Sequence, residues 1–230
     1  MCGETAAVTS EVAAGLSGPV VAAAALVAVL LVLVASQAVG ALVTVAHEGG
    51  HILIGTLTGY RINNFEVKSE SAYNGGTEFE REFGSGLANI LTTLAGYAAP
   101  PLFGLGGAAL LAAGEVLVVL WGAVVLLVLA WIKAEKEWTT FLVLLLAVTI
   151  GYVAFYGTPV LQAAFAAGLV FVLLLGGLLA AWESSTDDGT DAAYLARDTF
   201  IPRIIWKFLF IAVALLSIWA AIRLLAPLSF

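Results

Sequence analysis

Six long apolar runs leave this chain little choice of architecture. They cover residues 20–46, 87–113, 116–132, 138–156, 160–181 and 204–225. A helix rises about 1.5 Å per residue, so roughly 20 apolar residues cross the ~30 Å hydrocarbon core of a bilayer. Inside that core every backbone N–H and C=O has to be satisfied internally, which selects helices. The expectation is an all-α polytopic membrane protein: a polar N-terminal tail at 1–19, then one membrane-embedded domain over 20–230 with six transmembrane helices. The composition fits, with 62% of residues hydrophobic, 11% charged and a mean hydropathy of +1.06. Soluble domains do not reach such values. The opening segment does not read as a signal peptide, because it lacks a basic region and its apolar run is too long.

The first run ends in Ala46-His47-Glu48-Gly49-Gly50-His51, which holds both histidines of the chain. Positions four apart on a helix lie about 40° apart around its axis, so both imidazoles can reach one metal ion. Glu48 sits beside them without being a ligand itself, where it can act on a water held by the metal. This is the HExxH arrangement of zinc hydrolases. The bland alternative is a pair of hydrogen-bonded histidines in a buried helix, but ionisable groups in a membrane span are expensive and usually functional. Gly49 and Gly50 each cost about 1 kcal/mol of helix propensity. They serve either close approach of a backbone to the metal or ordinary packing by small residues.

Residues 61–83 form the main polar segment between runs. Phe65-Glu66-Val67-Lys68 and Thr77-Glu78-Phe79-Glu80 alternate as strands around the turn signal Asn74-Gly75-Gly76, so a β-hairpin is expected. It is either a solvated connector or an edge that pairs with an extended substrate segment. Pro100-Pro101 should kink or break the second span.

Basic residues orient the chain. With the N-terminus outside, the inner segments hold Arg61, Lys68 and Arg81, then Lys133 and Lys136, then Arg197, Arg203 and Lys207; only Arg223 lies outside. The positive-inside rule favours this arrangement, and Trp131, Trp138 and Trp182 fall at the same interface. The histidines and the polar loop after the fifth run then share the cytoplasmic face. A net charge of −7 without a dense basic cluster gives no sign of nucleic acid binding.

Catalytic zinc takes three protein ligands and keeps one position open. With Cys2 the sole cysteine, the third ligand has to be a carboxylate. The loop Glu183-Ser184-Ser185-Thr186-Asp187-Asp188-Gly189-Thr190-Asp191 offers Asp187, Asp188 and Asp191. A solvated acidic loop is the plain alternative.

These features resemble the site-2-protease family of intramembrane zinc metalloproteases, especially its small bacterial branch without a PDZ domain. The likeness rests on His47-Glu48-Gly49-Gly50-His51, the glycine-rich hairpin and Ala95-Gly96-Tyr97-Ala98-Ala99-Pro100. It continues in Thr190-Asp191-Ala192-Ala193-Tyr194-Leu195-Ala196, Thr199-Phe200-Ile201-Pro202 and Trp206, and so covers about Gly40 to Trp206. The resemblance implies His47, His51 and Asp191 as Zn2+ ligands and Glu48 as the catalytic base. It also implies Asn89 as a polar residue that steadies substrate or oxyanion. Larger members carry the late aspartate in an Asn-Pro-x-x-x-Asp-Gly pattern that is absent here, which leaves Asp187 and Asp188 open.

The expected function is hydrolysis of peptide bonds in transmembrane protein substrates near the cytoplasmic face of a bacterial cell membrane. Two other classes are compatible with a metal-binding membrane protein. A metal-ion transporter would carry charges within several spans and an internal repeat, and neither is evident. A catalytically silent membrane scaffold of the same fold would not need an intact HExxH.

Overall fold

The computed structural model describes residues 15–67, 75–80, 86–134 and 136–226. The expected tail as far as residue 14, the hairpin tip at 68–74 and the hairpin exit at 81–85 lie outside the described residues. In chain order the elements are α1 Gly18–Val34, α2 Ser36–Leu57, β1 Arg61–Val67, β2 Gly75–Glu80 and α3 Gly86–Ala112. They continue with α4 Val116–Trp131, α5 Glu137–Tyr156, α6 Pro159–Glu183, α7 Asp191–Thr199 and α8 Arg203–Leu225. Among the described residues five helices are long and apolar enough to cross a membrane: Ala38–Leu57 within α2, then α3, α5, α6 and α8. The apolar helices α1 and α4 are shorter, at 17 and 16 residues.

The run at 20–46 is therefore not one helix. Ala35 has φ −114° and ψ 42°, and this non-helical residue divides α1 from α2. At the break Ala35 N–H still donates to the Leu31 carbonyl at 2.8 Å, and Val39 N–H donates to the Ala35 carbonyl at 3.1 Å. Its effect is to give the halves different partners. α1 buries Val21, Ala24 and Ala28, one helical face, and packs on α6. α2 packs mainly on α3.

The proline pair does not interrupt α3 either, since Pro100 and Pro101 lie inside one continuous helix. Each proline removes a hydrogen bond to the carbonyl four residues back, here those of Gly96 and Tyr97. Neighbouring helices make such residues tolerable in a membrane. Both prolines are buried against α6, where a side chain on Gly177 would come within 2.8 Å of Pro101 Cδ. α6 is the hub of the bundle. It buries Ala163, Ala166, Ala167, Val170, Leu174, Gly177 and Ala181, a stripe of small and medium residues against α1, α3 and α8. Lipid is as apolar as leucine, so close van der Waals packing of small residues has to hold these helices together.

Strands β1 and β2 pair antiparallel, from Arg61 opposite Glu80 to Val67 opposite Gly75, with an irregularity between Ile62 and Asn64. Both strands pack against α2.

Candidate metal centre

Two segments far apart in the chain meet at one point. α2 contributes His47 and His51 from adjacent turns of one face. α7 contributes Asp191, its first residue. The Thr190 hydroxyl caps that helix by accepting from Ala193 N–H at 3.4 Å, which fixes the turn on which the carboxylate sits. The amphipathic helix α7 then buries Ala192 and Leu195 beside Trp206 and Phe210 of α8. Its far end is tied to α8 as well, where Trp206 Nε1 donates to Thr199 Oγ1 at 3.3 Å.

The donor atoms form a tight triangle. His47 Nε2 and His51 Nε2 stand 3.1 Å apart, and Asp191 Oδ2 lies 3.2 Å from the first and 3.4 Å from the second. Ligand atoms about 2.0–2.1 Å from a tetrahedral zinc lie roughly 3.3 Å from one another. Asp191 Oδ2 is buried and has no aligned hydrogen-bond partner despite its two near neighbours. A buried carboxylate oxygen left so is costly unless a cation completes it. Burial alone would raise the Asp191 carboxyl, but the His51 and His47 imidazoles beside it hold it well below the usual carboxylate range. The residues therefore fit a divalent cation with nitrogen and oxygen ligands.

The surroundings orient these donors. His51 Nδ1 lies 2.8 Å from the Thr92 carbonyl, which can only accept, so Nδ1 carries the proton and Nε2 keeps its lone pair for the triangle. The His47 ring meets Tyr97 edge-on with centroids 4.6 Å apart, and Tyr97 stacks on Phe210. Gly96 lines the cluster directly. A Cβ there would lie 2.4 Å from His51 Nε2 and 2.7 Å from His47 Nε2, within the space an ion needs.

Gly96, not Gly49 or Gly50, brings a backbone up to the donors. A side chain on Gly49 would meet nothing within 4 Å, while one on Gly50 would strike the Ala95 carbonyl and Ala99 of α3, so Gly50 serves helix packing. Glu48 is 3% exposed, and its Oε2 accepts from Thr77 Oγ1 of β2.

The remaining candidates lie apart from the triangle. Asp187 is engaged by the Ser185 hydroxyl, and the exposed Asp188 pairs with Arg203 at 2.5 Å. Asn89 accepts from the Tyr60 hydroxyl at 2.5 Å and donates to Asp198 Oδ2 at 3.3 Å, which joins the end of α2, the start of α3 and α7. Gly96 belongs to the Ala95–Pro100 motif and Thr77 to the expected hairpin, but neither has a role that the sequence specifies; only the packing of α3 and β2 onto α2 reveals it.

Apolar membrane-length helices around a cluster of two histidines and one aspartate, with His51 buried and the other two half-buried, define a membrane-embedded protein with a candidate metal centre. Its family is also identified. The family model described as Peptidase M50B-like matches residues 20–221, and the chain belongs to that family, the site-2-protease type of membrane metallopeptidase. No curated protein and no solved structure matches the chain.

Proposed function

We propose that this protein is an intramembrane zinc endopeptidase that cleaves membrane-protein substrates near the cytoplasmic face. The observation that carries the proposal is the His47–His51–Asp191 triangle, whose edges suit one tetrahedral ion, next to the buried Glu48. His47, His51 and Asp191 would hold the zinc. When bound, zinc acidifies a water molecule toward neutral pKa values and polarises the peptide carbonyl. Glu48 takes a proton from the attacking water at its carboxylate and returns it to the departing amine, which leaves a new carboxyl and a new amino terminus. Thr92 keeps His51 in the tautomer this arrangement needs.

A substrate helix shields its own carbonyls, so it has to unwind before attack. We assign the β1–β2 edge to holding the unwound segment by strand addition. Counting the shorter α4 as a crossing, α2, α3, α4, α5, α6 and α8 make six, with the site toward the cytoplasm. Arg61, Lys133, Lys136, Arg197, Arg203 and Lys207 support that orientation.

The direct test uses purified protein in proteoliposomes with a synthetic single-span Leu/Ala helix as reporter. The reporter carries a Gly-Gly pair and a fluorophore–quencher couple. About one zinc per chain is expected by elemental analysis, with cleavage lost on chelation and restored by added zinc. Cleavage that survives complete removal of metal would refute the proposal.

Gly96→Ala supplies an independent check on the site. The added methyl has to displace the imidazoles, and overpacking of this kind costs about 1–3 kcal/mol. Zinc affinity should fall roughly 10- to 100-fold while the far-ultraviolet circular dichroism stays that of the parent.

A further inference from the structure

We infer that Thr77 is a positioning residue for Glu48, so that docking of the hairpin on α2 sets the base; the inference rests on the peptidase reading above. Thr77 Oγ1 donates to Glu48 Oε2 at 2.5 Å. Glu48 is 3% exposed and belongs to α2, whereas Thr77 belongs to β2, 29 residues further along the chain. The register opposite Phe65 fixes the strand position of Thr77. A buried carboxylate needs donors, and an ionised acceptor makes their bonds strong. This contact engages Oε2 and restrains rotation of the carboxylate, which leaves Oε1 as the oxygen for proton transfer in the proposed mechanism. The same bond ties the strand proposed to receive substrate to the group that performs the proton transfer.

Thr77→Val keeps the shape and removes the donor, while Thr77→Ser keeps the donor. In the reporter assay Thr77→Val should lower kcat about 10- to 100-fold, the usual cost of losing a group that orients a reacting residue, with KM changed far less. Zinc content should stay at the parental level. Thr77→Ser should recover most of the rate. A parental kcat in Thr77→Val, or a serine variant no better than the valine variant, would overturn the inference.

Backbone hydrogen exchange over residues 75–80 gives a readout free of activity. Thr77→Val and Glu48→Ala should each speed exchange there, and the double variant should exchange no faster than the singles. Additive acceleration would also overturn the inference. A parent protein with no metal-dependent cleavage of the reporter would count against the peptidase reading instead, while the exchange comparison still tests the Thr77–Glu48 contact.

Discussion

Glu48→Gln is expected to keep about one zinc per chain and to lose reporter cleavage by at least 10²- to 10⁴-fold, the usual contribution of a positioned general base. Glutamine has the shape of glutamate and can still accept from Thr77 through its amide oxygen, so the hairpin contact is retained. The side chain is not among the three clustered donors, so metal should stay bound. What disappears is the capacity to take and return a proton. Elemental analysis and the cleavage assay, run on one preparation, check both halves. A fully active Glu48→Gln protein would remove Glu48 from the mechanism.

The second large effect is expected at Asp191. Asp191→Ala leaves two imidazoles where a catalytic zinc takes three protein ligands. Zinc affinity should drop by more than about 100-fold, beyond what the loss of an outer partner costs. Asp187→Asn and Asp188→Asn should bind zinc as the parent does, because Asp187 is engaged by Ser185 and Asp188 by Arg203, both outside the triangle. Competition with a chromogenic chelator measures all three. Metal loss in Asp188→Asn with retention in Asp191→Ala would exchange their roles.

The apolar runs and the histidine spacing were readable because each depends on neighbours within one helix. The break at Ala35 was not, since no proline or glycine marks it and the separate docking of α1 and α2 that goes with it is a matter of tertiary packing. The continuity of α3 through Pro100 and Pro101 likewise depends on α6, above all on Gly177. Among the three loop acids, composition gives no ranking. The local signal that separates them is Thr190, a capping residue directly before Asp191 and the apolar pair Ala192 and Ala193. Gly96 lay within a recognised motif, yet its role depends on the distance between α3 and the imidazoles, which no pattern along the chain encodes.

His51 and Asp191 are about 140 residues apart in the chain. On the proposed reading, a ribosome-bound intermediate already threaded into the bilayer holds a histidine pair and a glutamate but no cutting power. Competence arrives only when α7 emerges and is clamped by α8 through Thr199 and Trp206. On that reading the site becomes complete only after most of the chain has been made.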